Sequence, residues 1–362
     1  MTEKTGIKFY NAEEKPFKIY GVFKENGRFR RLPEELAKKL NVHVGLLHAD
    51  SAGGRVRFKT DSPYVAIRTK MRVYDLKDYS VTASLPAVAA FDMYTFEGGE
   101  YNFEGVFIPT RDCFKGYEAI IEFGSKKDEY VLFSTYSEDG KKGKAEHKMR
   151  DITINFPPYS EVEELYIGLD ENATVAEGGE YISIPPMVYY GSSITQGGNA
   201  VRPGLTYQAF ISRRFNADFI NLGFSEGALG EDEIAEYIKR LPMSVFIYDY
   251  DHNAPDAEHL RQTHEKMFKT IREAQPSLPV IMMPRPKYTG FTEAELERRD
   301  IIYTTYKNAL EKGDKNVWFI ESRELMALCQ SDGTADNTHP SAFGFASMAK
   351  AVGDVIEKIL NK

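Results

Sequence analysis

The hydrophobic pattern of this chain changes once along its length, and that change constrains the fold more than any other feature. In the first half, apolar and polar residues alternate with a period of two, as at 65–73, which is the pattern of half-buried strands. After Gly178-Gly179 and Pro185-Pro186, short apolar runs alternate with helical stretches instead. With 362 residues available, the chain is predicted to form two domains, 1–180 and 181–362.

Short strands dominate the first half of the chain. Turns rich in Gly, Asp and Ser separate them, a pattern typical of an antiparallel sandwich, with a jelly roll as the expected version. One helix is predicted there, at 33–40, where a proline occupies the first turn. The predicted strands are 56–59, 65–73, 90–95, 101–108, 117–123, 130–135, 152–156 and 165–169.

The second half alternates between strand and helix. Such alternation implies a parallel sheet with helices on both faces, because parallel strands need a crossover between them. The expected fold class is therefore α/β, with a three-layer α/β/α parallel-sheet domain preceded by an all-β sandwich domain. The predicted strands are 187–190, 219–222, 245–248, 280–283 and 317–320, and the clearest helices are 206–216, 256–275 and the last stretch, 345–360.

The overall charge argues against two classes of partner. A formal net charge of −8 and a pI near 5.6 disfavour nucleic acid and anionic membranes. No apolar run is long enough to span a bilayer, and the N-terminus has no apolar signal region, so the expected location is the cytoplasm. Cys113 and Cys329 fall in different halves and are expected to be free, buried thiols.

A serine, Ser193, stands in a sharp turn directly after the strand predicted at 187–190. The carboxyl ends of strands in open α/β sheets are where ligands bind. A lone serine is an ordinary turn residue, but groups that a serine nucleophile needs follow downstream. They are the segment 221–227, Asn253, and the pair Asp336 and His339.

These groups form a chemically complete set for acyl transfer. His339 is able to accept the proton of Ser193 near neutral pH, and Asp336, three residues earlier, is placed to orient the imidazole within one turn. The side-chain amide of Asn253 is a candidate oxyanion donor. It is also a candidate helix cap, although Asp256 suits that role better. The predicted reaction is acyl transfer to water through an acyl-serine.

The segments 191–195, 221–227, 251–253 and 336–339 resemble the sequence blocks of the SGNH (GDSL-type) hydrolase superfamily. The resemblance implies an SGNH-type, flavodoxin-like sheet with Ser193 as nucleophile, served by Asp336 and His339. It also implies an oxyanion hole formed by the N–H of Ser193, the amide of Asn253 and a backbone N–H of the second block. The sandwich upstream makes the chain similar to two-domain carbohydrate esterases, which place a jelly roll before this fold.

Two positions depart from the family pattern. Ser192 occupies the place of the usual aspartate before the nucleophile. Glu226 aligns with the glycine whose N–H binds the oxyanion, and a carboxylate aimed inward would oppose the developing negative charge. Because the donor is a backbone N–H, the hole survives if the side chain points away. Gly223 and Gly227 are the alternative donors.

Further site candidates follow the serine closely. Gln196 and Arg202 are candidates for lining the substrate pocket, although Arg202 suits a surface salt bridge equally well. Asp249, Asp251 and His252 hint at a metal ion, but a strand sends alternate side chains in opposite directions and no further ligand pattern follows. The sequence therefore predicts neither a cofactor nor a metal site.

The leading functional hypothesis is a serine esterase that removes small O-acyl groups, with acetyl favoured, from a carbohydrate. Its partner would be a small-molecule or oligosaccharide ester. The sugar follows only from the resemblance and the attached sandwich, whereas the acyl-serine chemistry follows from the residues. Two alternatives remain open: a lipid or thioester acylhydrolase, and a non-catalytic carbohydrate-binding protein on a disabled hydrolase scaffold.

Overall fold

A computed structural model describes residues 5–73, 84–110, 112–123 and 147–361. The strand predicted at 130–135 lies outside these residues. In the first half the elements are β1 (Ile7–Asn11), β2 (Lys18–Tyr20), β3 (Phe23–Glu25), β4 (Arg28–Arg30), α1 (Glu34–Ala37), α2 (Val42–Leu47), β5 (Arg55–Thr60), β6 (Tyr64–Val73), α3 (Leu85–Ala89), β7 (Phe91–Glu97), β8 (Glu100–Phe107), β9 (Gly116–Glu122), β10 (Arg150–Asn155), β11 (Ser160–Asp170) and β12 (Val175–Glu177).

The second half contains the longer helices. Its elements are β13 (Met187–Gly191), α4 (Ser193–Gln196), α5 (Tyr207–Phe215), β14 (Phe219–Gly223), α6 (Asp232–Ile238), β15 (Val245–Asp249), α7 (Ala257–Ala274), β16 (Val280–Met282), α8 (Glu293–Glu311), β17 (Val317–Phe319), α9 (Ser322–Leu325) and α10 (Ala342–Leu360). Short 3₁₀ turns occupy Pro203–Leu205 and Gln330–Gly333.

Within the described residues, the N-terminal strands form two large antiparallel sheets and a separate two-stranded sheet, β3-β4. One has the order β1-β11-β6-β9, and the other has the order β12-β5-β10-β7-β8, with β2 paired to β5. In β6 the side chains of Arg68, Lys70 and Arg72 are exposed while Thr69 and Met71 between them are buried, as a period of two requires. The buried rows of both sheets share one apolar core. The predicted antiparallel sandwich is confirmed.

In the described part of the first half, three short helices interrupt the sandwich, where the sequence predicted one at 33–40. The helix α1 covers only part of that range, and α2 and α3 were not expected. Asn41 caps α2 by accepting from the Val44 N–H at 3.1 Å. Leu32, Ala37 and Val44 pack into the core of the parallel sheet rather than that of the sandwich. We still propose 1–180 and 181–362 as the domains, but the first contributes to the core of the second.

The C-terminal strands form a parallel sheet in the order β14-β13-β15-β16-β17. This is the flavodoxin-like order, and helices cover both faces. Side chains of α6, α7 and α8 pack on one face, and those of α5 and α10 pack on the other. Asp256 caps α7 and a Thr292/Glu295 capping box begins α8. The predicted three-layer α/β/α domain is confirmed.

The strand order places a crevice at the carboxyl end of β13. The chain leaves β13 for β14 on one side and later returns to β15 on the other, and the crevice at such a reversal is the usual ligand site. Gly223, at the end of β14, lies against α4 so closely that a Cβ there would overlap the Gln196 nitrogen. A glycine at this position therefore lets α4 lie across the end of the sheet.

A buried carboxylate fastens the loop after α4 to the sandwich. Asp92 accepts from Arg202 Nη1 at 2.6 Å, from the Gly204 N–H at 2.8 Å and from Asn155 Nδ2 at 2.7 Å. Arg202 also donates to the hydroxyl of Tyr94 at 2.6 Å. The structure thus shows Arg202 in an ion pair, one of the two roles expected for it, and its role in lining the pocket stays a prediction. Its guanidinium is engaged at the interface between the two halves, in a mostly buried ion pair.

Two further features are the state of the cysteines and the length of the apolar helices. Cys113 and Cys329 are buried free thiols, as expected. Among the residues that the structure describes, none of the helices has the length and apolar composition needed to cross a membrane.

The Asp92 pair makes a prediction about stability. Replacing Asp92 with alanine leaves the Arg202 charge and the Gly204 N–H without their buried acceptor, a change that typically costs about 3 kcal/mol or more. We expect Asp92→Ala to lower the Tm by about 5 °C, measured by circular dichroism. Lys350→Ala is the control, because its pair with Asp354 is half exposed and should contribute less than about 0.5 kcal/mol. Equal shifts in the two variants would contradict this assignment.

Candidate active site

Ser193 occupies the first position of α4, directly after β13. Ser192 caps this helix, because its Oγ accepts from the Ile194 N–H at 3.2 Å. Ser192 thus fills the cap position although it departs from the family's aspartate. The first N–H groups of a helix have no intrahelical acceptor. The N–H of Ser193 is one of these groups, as the role predicted for it in the oxyanion hole requires.

The hydroxyl of Ser193 lies within hydrogen-bond distance of His339. The Ser193 Oγ to His339 Nε2 distance is 2.8 Å, and His339 Nδ1 is 2.7 Å from Asp336 Oδ2. A carboxylate only accepts, so the proton of the imidazole is on Nδ1 and Nε2 is left as an acceptor for the serine. The structure thus brings Ser193, Asp336 and His339 together in the order that a nucleophile and its base require.

The loop that carries Asp336 is tied to its own carboxylate. Asp336 Oδ1 accepts from the N–H groups of Thr338 at 3.0 Å and His339 at 2.7 Å, and Oδ2 accepts from Asn199 Nδ2 at 3.3 Å. Partial burial alone would raise the pKa of Asp336, but hydrogen bonds from the His339 backbone and ring outweigh it, and the pKa is lowered. The carboxylate therefore stays ionised beside the imidazole at neutral pH.

The segment after β14 forms a turn with Glu226 at its third position. The Gly227 N–H donates to Phe224 O at 3.0 Å, and Glu226 has a φ of 57°. A positive φ at this position is a conformation in which glycine is favoured. The Glu226 side chain is 78% exposed, and its Oε2 lies 3.7 Å from His43 Nδ1. The carboxylate therefore lies at the rim of the site beside His43 and does not point inward toward the predicted oxyanion hole.

Asn253 lies against this turn. The amide orientation that satisfies both of its groups has Oδ1 accepting from the Glu226 N–H at 2.9 Å and Nδ2 donating to Phe224 O at 3.3 Å. The other backbone candidates are engaged elsewhere, because the Gly223 N–H donates to Asn221 Oδ1 at 2.9 Å and that of Gly227 closes the turn. Glu226 is thus the second-block residue whose N–H faces Asn253.

Gln196 does not line a pocket. Its side chain is completely buried, and its amide donates to Asp50 Oδ2 at 2.9 Å and to Pro158 O at 3.2 Å. Its Oε1 accepts from the Ser225 N–H at 2.9 Å. The prediction that Gln196 binds substrate is corrected on this evidence, because every polar atom of its side chain is engaged between α4, the sandwich and the second block.

A buried aspartate, Asp249, supports the serine turn from the end of β15. Asp249 Oδ1 accepts from Thr195 Oγ1, and a Cβ at Gly191 would overlap the same oxygen. Burial raises the pKa of Asp249 to about 8, against the effect of the hydrogen bonds from Thr195 and the Ser192 backbone. From the sequence alone Asp249 is recognisable only as a possible metal ligand, since its strand position does not reveal which side chain it meets.

The loop that carries Asn253 is held by arginines from the helix side. Arg298 of α8 donates to Asp251 O at 2.6 Å and to Ala254 O at 2.8 Å, and Arg285 Nε lies 3.3 Å from Asp251 Oδ2. Burial lowers the pKa of His252 to about 4, so this imidazole is neutral at physiological pH. Within the described part of the chain, His, Cys, Asp and Glu side chains form no group of three or more that could hold a metal ion.

Two family profiles match the chain. Residues 185–357 match the GDSL-like lipase/acylhydrolase family, and residues 7–175 match the N-terminus of SGNH-hydrolase-type esterases. The chain belongs to the SGNH/GDSL-type hydrolase superfamily. An esterase is the class of enzyme that this membership and the structural neighbours support. None of the curated proteins matches the chain.

Solved structures share the two-part architecture. A GDSL-like lipase candidate from Bacteroides ovatus has a TM-score of 0.82 and 25% identity, over 98% of both chains. A salicylyl-acyltransferase from a tetracycline biosynthetic pathway has a TM-score of 0.73 and 18% identity, also over 98% of both chains. An acetyl xylan esterase from Butyrivibrio proteoclasticus has a TM-score of 0.55 and 12% identity, over 98% of this chain and 99% of that one.

The backbone conformation of Glu226 leads to a prediction that distinguishes the role of its N–H from the role of its side chain. Glycine there relieves a strained φ and keeps the N–H, so Glu226→Gly should raise the Tm by about 1 °C and leave kcat within about twofold. Glu233→Gly in α6 is the matched control, because the same substitution in a helix costs up to about 1 kcal/mol. A large change in kcat for Glu226→Gly would show that its carboxylate acts in the site.

The buried carboxyl of Asp249 predicts a pH dependence of stability. Its folded-state pKa of about 8 lies above the unfolded value of about 3.9. Its contribution to stability is therefore complete below about pH 4 and is lost as the pH rises through about 8. Asp249→Asn keeps the oxygen that accepts from Thr195 and cannot ionise. Its loss of Tm between pH 5 and pH 8 should be about 3 °C smaller than that of the wild type.

Thermal unfolding of both proteins at the two pH values measures this difference. Burial also raises the pKa of Asp50 to about 8, so part of the pH dependence should remain in the variant. The same loss of Tm in both proteins would contradict a protonated carboxyl at position 249.

Proposed function

We propose that the protein is a serine esterase that hydrolyses small O-acyl esters, chiefly acetyl esters, of a carbohydrate. The observation that carries the proposal is the chain of contacts from Ser193 Oγ through His339 to Asp336, with distances of 2.8 and 2.7 Å. A serine with a base at hydrogen-bond distance, and a carboxylate that orients the base, is the arrangement needed for an acyl-serine intermediate.

The first half of the reaction acylates the enzyme. Ser193 Oγ attacks the ester carbonyl while its proton passes to His339 Nε2, and Asp336 stabilises the imidazolium through Nδ1. The tetrahedral intermediate then collapses, the bond to the leaving alcohol breaks, and His339 returns the proton to the alcohol oxygen. In the second half, water loses a proton to His339 and attacks the acyl-serine, which releases the carboxylic acid and restores Ser193.

The oxyanion would be held by the N–H groups of Ser193 and Glu226 and by the amide of Asn253. In the free enzyme, Asn253 Oδ1 accepts from the Glu226 N–H, which keeps that donor satisfied while the site is empty. An oxyanion would replace this acceptor, and rotation of the amide would turn Nδ2 toward the negative charge. Each such donor typically contributes about 10²–10³ in turnover.

Similarity to known esterases supports the choice of substrate. An acetyl xylan esterase shares the sandwich followed by the parallel sheet, and that likeness supports an acetylated carbohydrate here. The lipase family name supports the alternative of a lipid or thioester acylhydrolase. A non-catalytic binding protein is disfavoured, because Ser193, His339 and Asp336 are all present and in contact.

The serine mechanism is tested with p-nitrophenyl acetate. Ser193→Ala should lower kcat by at least about 10³-fold, because the nucleophile is lost. Ser277→Ala, at an exposed position before the start of β16 and so at the end of the sheet opposite the site, should match the wild type. Equal rates for Ser193→Ala and the wild type would overturn the proposal. Measuring free acetate distinguishes hydrolysis from transfer of the acyl group to another alcohol.

The acyl and alcohol preferences need separate measurements. We expect acetyl esters to turn over faster than decanoyl esters, and acetylated oligosaccharides to release acetate in a Ser193-dependent way. Faster turnover of the decanoyl ester would favour the lipid acylhydrolase instead, and binding of the oligosaccharide without any release of acetate would favour the binding protein.

A further inference from the structure

A tyrosine of the sandwich reaches the backbone of the nucleophile. Tyr159 lies in the turn between β10 and β11, and its hydroxyl donates to Ser193 O at 3.3 Å. The same carbonyl accepts from the N–H groups of Gly197 at 3.0 Å and Gly198 at 2.8 Å. Three donors thus hold the carbonyl oxygen of Ser193, and one of them comes from the other domain.

The Tyr159 hydroxyl lies where several parts of the site meet. A Cβ on Gly198 would lie 3.1 Å from the Tyr159 hydroxyl and 3.1 Å from His339 Cδ2. The hydroxyl is thus packed against the loop that separates it from the imidazole. A change in the position of the Tyr159 hydroxyl would displace α4 and that loop, because closely packed protein interiors tolerate little movement.

The hydroxyl also contacts the second block. It is 2.9 Å from Ser225 Oγ, which is the donor in this contact because the tyrosine proton goes to Ser193 O. Ser225 is held in turn by Gln196 Oε1, which accepts from its N–H at 2.9 Å. Ser225 directly precedes Glu226 in the turn. One phenol therefore connects the peptide of Ser193 to the residue before the second candidate oxyanion donor.

The sandwich contacts the second block at another point. Arg31 is buried and donates to the carbonyl oxygens of Gly223 and, at 2.7 Å, of Asp50, and its guanidinium lies 4.6 Å from the centre of the Phe224 ring. The Asp50 carboxylate accepts from Gln196 at 2.9 Å. These contacts anchor the turn on one side, and Tyr159 holds it on the side that faces Ser193.

We propose that Tyr159 is a positioning residue that fixes the oxyanion donors of Ser193 and Glu226 relative to each other, so that the sandwich domain completes the oxyanion hole. The proposal rests on the proposed esterase function. Oxyanion stabilisation depends on donors preorganised at about 2.7–3.1 Å from the developing charge, so loosening one of the two segments weakens it. Tyr159 itself touches neither substrate nor reacting atoms in this account.

The test compares two tyrosine-to-phenylalanine variants. Tyr159→Phe removes the hydroxyl and keeps the ring. Tyr101→Phe is the matched control, because the Tyr101 hydroxyl also joins the two domains. It lies 2.7 Å from Asn216 Oδ1, near the start of β14, and therefore at the end of the sheet opposite the site. We measure kcat and KM for p-nitrophenyl acetate, and the Tm, in the full-length protein.

For Tyr159→Phe we expect kcat and kcat/KM to fall together by about tenfold with KM unchanged, as when an interaction made only in the transition state is lost. Tyr101→Phe should lose a similar amount of stability and keep its kcat. A kcat for Tyr159→Phe within twofold of the control would overturn the proposal, because the hydroxyl would then be only structural.

A second variant keeps the test decisive if Tyr159→Phe folds poorly. Ser225→Ala removes the hydroxyl that Tyr159 contacts, and its kcat should fall by a comparable factor. Where both variants fold, the double variant should be little slower than either one, because the two changes break one connection. Multiplying effects would contradict the shared connection. If Ser193→Ala is inactive while Tyr159→Phe is fully active, the esterase stands and only the positioning role fails.

Discussion

The close approach of α4 to the end of β14 is the constraint on which the rest of the site depends. Gly223 lets the helix backbone lie against the strand, and two amides hold the helix there, since Asn221 and Gln208 both donate to Thr195 O, at 2.7 and 2.8 Å. This contact brings the first turn of α4 beside the segment that follows β14. The two backbone donors proposed for the oxyanion hole, on Ser193 and Glu226, are neighbours for this reason.

The sandwich and the parallel sheet are joined by buried polar contacts rather than by a flexible tether. Arg31 binds backbone carbonyls, Arg202 pairs with Asp92, and Arg55 pairs with Asp218 across the same boundary. Burying an arginine is costly, and burial lowers the pKa of Arg31 to about 10. Several acceptors around each guanidinium offset that cost. Buried charges with fixed acceptors favour one relative placement of the halves, which the positioning role proposed for Tyr159 requires.

What could be predicted from the sequence depended on the distance between partners along the chain. The Asp336 and His339 loop closes on itself within three residues, so spacing alone suggested its geometry. The strands and long helices were predictable for the same reason, since their hydrophobic periods are local. The partners of Gln196 and Arg202 are not predictable from the sequence, because Asp50 and Asp92 lie 146 and 110 residues away. The residues next to Gln196 in the sequence do not indicate that its side chain binds a carboxyl group of the other domain.

The two departures from the family pattern have a common physical explanation. Neither departure removes a hydrogen-bonding group that the site uses. Ser192 still supplies a side-chain oxygen that caps α4, and Glu226 still presents its backbone N–H. A residue with a positive φ keeps that conformation only if its surroundings hold it. Here the turn is held on one side by Asn253 and on the other by Ser225, which Tyr159 and Gln196 contact. A residue other than glycine is therefore tolerated at position 226. Neighbouring residues, one of them from the sandwich, hold the positive-φ conformation that glycine adopts without strain.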